Sequence, residues 1–211
     1  MEGFINDTPV ATIIFIFTIV TSIYAFSNAE VYGKFMLHPY SVSRGRRLYS
    51  LITSGLIHKD WTHLLVNMLS YYFFAFTLEK TFVSLSSWGH IQFAVLYIVS
   101  IVLSDITSIL KHKEDFWYNS LGASGAVSAV VFSYILFYPM NKMIIFPLPI
   151  PIPAVLFGFL FLGYSWYASR SSRDAINHDA HFYGALTGVL LTIIYYPDIA
   201  GYFVSQLTGR G

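Results

Sequence analysis

The chain has 211 residues, 55% of them hydrophobic, 18% aromatic and only 11% charged. Water-soluble domains carry about 25% charged residues, so most of this chain faces something other than water. A net charge of +1 leaves no basic footprint for nucleic acid, and the lack of cysteine excludes disulfides, thiolate metal sites and a cysteine nucleophile.

A helix needs about 20 mostly apolar residues to cross a bilayer. The first such run is Pro9–Phe26. The residues before it include Glu2 and Asp7 and offer neither a basic n-region nor a small-residue cleavage site. It therefore reads as a retained span, not a secretory signal. The next segment, Ser27 to Asp60, mixes Tyr32, Phe35, Met36 and Leu37 with Lys34, Arg44, Arg46 and Arg47. A connection this long is expected to carry structure of its own, and its composition suits a loop partly embedded in the membrane. Further apolar runs follow at Trp61–Leu78, His90–Leu110 and Leu121–Tyr138. Between the fourth and fifth runs, Pro147, Pro149, Pro151 and Pro153 alternate with Leu148, Ile150 and Ile152, which forces extended backbone there. The last two runs are Ile150–Ala168 and His181–Tyr196. Barrel-type alternation is absent, so the spans should be helical. The expected fold is an all-α membrane protein of six transmembrane helices, forming one domain over residues 1–211.

Six spans put loops 1–2, 3–4 and 5–6 on one side of the membrane. That side holds Lys34, Arg44, Arg46, Arg47, Lys59, Lys111, Lys113, Arg170 and Arg173, against Lys80, Lys142 and Arg210 on the other. Counted by the positive-inside rule, the first side is cytoplasmic.

Helices two, four and six all run away from that side, and their first turns hold the polar residues least expected in a membrane. Helix two opens with His63 and Asn67, an i, i+4 pair on one face. Helix four opens with Gly122-Ala123-Ser124-Gly125, and helix six with Asn177-His178-Asp179-Ala180-His181 followed by Gly184 and Gly188. A serine, a histidine and two further hydrogen-bonding side chains thus share one depth. Nucleophilic acyl transfer needs such a set. A serine hydroxyl is weak until a base within hydrogen-bond reach takes its proton, and histidine suits that task. Free N–H groups at a helix start favour the negative charge of a tetrahedral intermediate, and Asn67 and His63 can add side-chain donors. Gly184 and Gly188 form a small-residue face through which helix six can approach the helix carrying Gly125. Taken singly, the serine reads as a packing residue and the histidines as core or interfacial groups. Jointly they read as a site.

The motif Gly122-Ala123-Ser124-Gly125 resembles the Gly-x-Ser-Gly of the rhomboid family. His63 through Asn67 resembles its His-x-x-x-Asn, and Ala180-His181-x-x-Gly184-x-x-x-Gly188 its last-helix signature. Glu79 is similar to the acidic residue that closes the family's second helix. The likeness runs from about Arg47 to Gly188. It implies a six-helix bundle and an intramembrane serine protease, with Ser124 as nucleophile and His181 as base. Asn67, His63 and the N–H groups of Ala123 and Ser124 would form the oxyanion site. It implies single-span membrane proteins as substrates, a multi-pass protein of a bacterial plasma membrane with the active side outward (the reverse of the charge count), and a fifth helix serving as lateral gate. Two positions depart from the family pattern: Ser128 stands where many members carry an aromatic residue, and Arg47-Leu48-Tyr49 keeps only the arginine of a Trp-Arg pair. A catalytically inactive, client-binding rhomboid-like protein is the alternative; loss of the serine or histidine would mark it, and both are here.

Metal chemistry is the rival use for His58, His63, His178 and His181. No His-Glu-x-x-His helix or carboxylate ligand pattern accompanies them, so neither metal nor cofactor is expected. His178 reads as a loop residue beside the site. Asp105, an intramembrane carboxylate near the end of span three, is expected to be structural. Nothing in the sequence specifies an oligomeric state.

Overall fold

A computed structural model describes residues 6–145, 148–171 and 177–209. The predicted positions Glu2, Pro147, Arg173 and Arg210 lie outside the described residues. Each of the six predicted apolar runs is found as a helix: α1 (Pro9–Ser27), α5 (Trp61–Leu85), α6 (Gly89–His112), α7 (Ser124–Phe137), α8 (Ala154–Ser171) and α9 (His178–Tyr195). The first loop contains α2 (Ala29–Phe35), α3 (Pro39–Val42), α4 (Ser50–Thr53) and a 3₁₀ turn at Ser54–Leu56. A final helix, α10 (Ile199–Thr208), follows α9 at a bend of 108°.

Helix α1 buries its small and polar residues and exposes large apolar ones. In α1 the buried side chains are Ala11, Thr18, Ser22 and Ala25, while Ile13, Ile16, Phe17 and Val20 are all more than half exposed. A protein in water would invert that pattern. In lipid, apolar tails compete equally for large side chains, and helix contacts fall to residues that let backbones approach. Of the helices, α1 and α6 are individually long and apolar enough to cross a bilayer, and α9 reaches that standard together with α10. Helix α7 is short, with 14 residues, or about 21 Å at 1.5 Å per residue. Eleven of them are buried, so α7 is the central post around which α5, α6 and α9 pack.

The all-α expectation needs one correction. The proline run is strand β2 (Leu148–Pro153), paired antiparallel with β1 (Lys142–Ile145) in register Lys142↔Pro153, Met143↔Ile152 and Ile144↔Pro151. Successive N–H groups of a strand point to opposite edges. Prolines at every second position therefore strip donors from one edge only and leave the ladder intact on the other. The same prolines delay α8, which begins at Ala154, not Ile150.

Glu79 does not close its helix but sits six residues before its end, fully buried. Its carboxylate accepts from the backbone N–H of Val10 (3.1 Å) and Ala11 (2.7 Å), and pairs with His90 Nδ1 at 2.6 Å. A carboxylate at the start of α1 satisfies donors that a helix start leaves open, and so locks α1 to α5.

Candidate active site

Ser124 is the first residue of α7, and the backbone around it is set by its two flanking glycines. Gly122 has φ +120°, a conformation that disfavours any side chain. It also has no room for one, because a Cβ there would lie 2.6 Å from His63 Cε1 and 3.0 Å from Nε2. The imidazole of α5 thus lies against the turn that delivers Ser124. On the other flank, a Cβ on Gly125 would strike the Ser104 hydroxyl and approach the carbonyl oxygen of Ala180 at 3.3 Å. A Cβ on Gly184 would overlap the carbonyl oxygen of Gly125 and lie 2.9 Å from its Cα. Helices α7 and α9 therefore meet backbone to backbone at the serine's neighbour on one side, and at the neighbour and next turn of His181 on the other. One turn deeper Gly188 meets Ala129 in the same way, and Ser133 Oγ hydrogen-bonds Thr192 Oγ1 at 2.6 Å.

The strand-like segment before Ser124 is stitched to the first loop. Leu37 and Ser120 exchange both backbone hydrogen bonds (2.9 and 3.1 Å), and the Gly122 N–H donates to Ser54 O at 2.9 Å. Arg47 fixes the loop itself: its guanidinium donates to the carbonyls of Gly33, Lys34 and Met36 at 2.6, 2.8 and 3.1 Å. Arg47 thus ties the segment before α4 back to the C-terminal end of α2.

The proposed oxyanion residues start α5. Asp60 caps that helix by accepting from the His63 N–H at 2.8 Å. The Lys59 N–H donates to His63 Nδ1 at 3.4 Å, an arrangement that suits a neutral ring carrying its proton on Nε2, on the Cε1–Nε2 edge that faces Gly122. Asn67 is buried, and one of its two amide N–H groups donates to His63 O at 2.9 Å. The second is left for another acceptor. Ala123 is 1% exposed and is the N-cap position of α7.

His181 stands in the first turn of α9, capped by Asn177, whose side chain accepts from Ala180 N at 3.1 Å and donates to Ser108 Oγ at 2.7 Å. His178 is not a loop residue: it opens α9, is 4% exposed, and packs edge-on against His181 with ring centroids 6.0 Å apart. Lys111 and Asp179 form an ion pair at 2.6 Å that ties α6 to α9 at the same end. Asp105 is buried and accepts from Ser54 Oγ at 3.4 Å, a contact that fits the structural role expected of it. Among the described residues no group of three His, Cys, Asp or Glu side chains is gathered to hold a metal ion.

His58 lies behind His63, fully buried, its Nδ1 hydrogen-bonded to Ser22 Oγ at 2.9 Å and its ring edge-on to His63 at 5.0 Å. Burial, and after it the neighbouring imidazole of His63, pushes its pKa from 6.5 down to about 3. The folded state therefore refuses a proton that the unfolded chain binds near pH 6.5. The stability this contributes is full above pH 6.5 and is lost as pH falls toward 3, at up to about 1.4 kcal/mol per pH unit. Thermal unfolding of the detergent-solubilised protein should drop steadily between pH 6.5 and 4, and His58→Asn should flatten that slope. An unchanged slope in the variant would assign the acid sensitivity to other groups.

These features define a class: a helical membrane protein with a serine at a glycine-flanked helix start, two donor-bearing side chains on a second helix and a histidine on a third. Comparison with known proteins agrees. A family model described as the Rhomboid domain matches residues 45–198, and the chain belongs to the rhomboid family. The chain is 27% identical to RHOMBOID-like protein 12, mitochondrial, of Arabidopsis thaliana, over 74% of this chain and 50% of that protein. It is 30% identical to Rhomboid-like protein 16, chloroplastic, of the same plant, over 53% of this chain and 38% of the relative. It is also 30% identical to the Bacillus subtilis (strain 168) protein YdcA, provisionally named a rhomboid protease, over 69% and 66%. The chain thus spans half the length of the mitochondrial relative and less of the chloroplastic one.

Proposed function

We propose that this protein is an intramembrane serine endopeptidase that hydrolyses a peptide bond in or beside the transmembrane segment of single-span membrane proteins. In this reading six helices span the membrane, with α7 as the short inner one, and the first loop sits partly in the bilayer. The bacterial plasma membrane expected from the sequence has the Bacillus relative in its favour, beside relatives named for mitochondrion and chloroplast.

The observation that carries the reading is the pair of glycine contacts on either side of Ser124. Gly122 lies against His63, and Gly125 against Ala180 and Gly184. The nucleophile, the donor helix and the base helix then converge on one short stretch of backbone. Ser124 Oγ attacks the scissile carbonyl while His181 takes its proton and later returns it to the leaving amine. The N–H groups at the start of α7, Nε2–H of His63 and the free N–H of Asn67 receive the oxyanion. Water then releases the acyl group from Ser124. The inactive, client-binding alternative would require no chemistry from these groups.

The direct test is cleavage of a generic single-span substrate by the purified protein, with Ser124→Ala as control. Within it, Asn67→Ala should lower the rate by about 10²–10³, the cost of one oxyanion donor, or roughly 3 kcal/mol. His63→Ala should be comparable or milder. If a folded Asn67→Ala variant cleaves at the parent rate, the amide's use is confined to its hydrogen bond with His63 O.

A further inference from the structure

The imidazole of His181 has a flat partner that does not come from the helix of the nucleophile. One turn after Ser124, position 128 is a small, buried serine. The ring stacked on His181 is Phe161 of α8, with centroids 6.0 Å apart and planes at 27°. Phe161 is itself wedged: Phe132 of α7 meets it at 5.7 Å, and Phe157, one turn earlier on α8, at 5.6 Å. Tyr164, three residues further on, packs edge-on against His178 at 5.4 Å. Phe157, Phe161 and Tyr164 are spaced i, i+4, i+7, so a single face of α8 lies on the first turn of α9.

The outer torsion of a histidine is broad and roughly two-fold, unlike the staggered torsion before it. The ring's tilt is therefore not set by its own rotamer and must come from what it touches. An offset-stacked aromatic face supplies that constraint; an aliphatic side chain of similar volume fills the space without fixing a plane.

We infer that Phe161 is the positioning residue for His181, holding the imidazole plane at the angle from which it can take the proton of Ser124. This rests on the serine endopeptidase reading above. The nucleophile then rides on α7 while the element that aligns its base rides on α8. Displacing α8 disarms the base without moving the serine.

The test uses the purified full chain in detergent or bicelles, with a single-span substrate and, separately, a small fluorophosphonate that labels the active serine. Phe161→Leu and Phe161→Met keep apolar bulk but lose the ring; Phe161→Tyr keeps it. The expected result is a kcat lower by about 10- to 100-fold in the Leu and Met variants, as for a misplacement of up to about 1 Å. KM should stay within about twofold, thermal stability should be near the parent's, fluorophosphonate labelling should slow in parallel, and the Tyr variant should keep most of the parent rate. Parent-like cleavage by a folded Leu or Met variant overturns the inference. So does a raised KM with kcat unchanged, which would assign the ring to substrate binding, or a Tyr variant as impaired as Leu, which would assign it to packing volume. If the parent shows no Ser124-dependent cleavage, the endopeptidase reading falls and this inference with it. If the parent cleaves and only the Phe161 results fail, this inference falls alone.

Discussion

Ser124→Ala and His181→Ala will each reduce cleavage of a single-span substrate to background, and the double variant will be no worse than either. Non-additivity is the informative part. A hydroxyl that loses its base is no longer activated, and a base without a hydroxyl has no proton to take, so the second substitution removes nothing the first left behind. Independent contributions would instead multiply. The folded structure should survive both changes. Ser124 opens α7 just after Gly122, whose N–H is anchored on Ser54 O, and the α7–α9 contact is made by Gly125, Gly184, Ala129 and Gly188. Parent-like thermal unfolding with no cleavage is therefore expected. A chelator should leave the parent rate untouched. Cleavage that survives Ser124→Ala, or that a chelator abolishes and zinc restores, would sink the serine mechanism.

Much of the candidate site could be placed on its helices from the sequence because its parts are local. The i, i+4 spacing of His63 and Asn67 lies within one helix turn, as does the Gly-Ala-Ser-Gly start of α7, and the Gly184/Gly188 pair marks a close contact wherever helices pack in lipid. The proline alternation announced extended backbone, although its pairing into a hairpin depends on Lys142–Ile145, an apolar run too short to tell strand from helix. What stayed hidden is long-range. Ser54 and Ser120 steer the turn before Ser124 through backbone bonds to Gly122 and Leu37, and any residue can offer such bonds. Glu79 resembled a helix-closing acid because its partners, the first N–H groups of α1, lie 68 and 69 residues away. Phe161 is one aromatic among many on a lipid-facing helix, and only the packing of α8 on α9 sets it apart.

Gly184→Ala will cost at least about 100-fold in cleavage rate, and Gly184→Val will abolish it. A Cβ at this position overlaps the Gly125 carbonyl oxygen and sits 2.8 Å and 2.9 Å from its C and Cα atoms. These are backbone atoms of a central helix, with no flexible side chain that could swing aside. Accommodating even one methyl group requires α7 and α9 to part. Gly125 adjoins Ser124, and Gly184 lies one turn after His181, so the parting moves the proposed nucleophile away from the proposed base directly. A displacement of about 1 Å there costs on the order of 100-fold, while the overpacking itself costs about 1–3 kcal/mol of stability. The two effects can be separated. A Cβ at Gly188 meets Ala129 backbone just as closely, with Cα at 2.6 Å, but a turn deeper. Gly188→Ala should therefore match Gly184→Ala in lost stability and fall short of it in lost cleavage. Gly163 on α8 has nothing within 4 Å of a Cβ, so Gly163→Ala should cleave like the parent and gain slightly in helix stability. Equal stability and equal cleavage in Gly184→Ala and the parent would mean that the backbone contact at Gly125 does not set the spacing of α7 and α9 on which the proposed dyad depends.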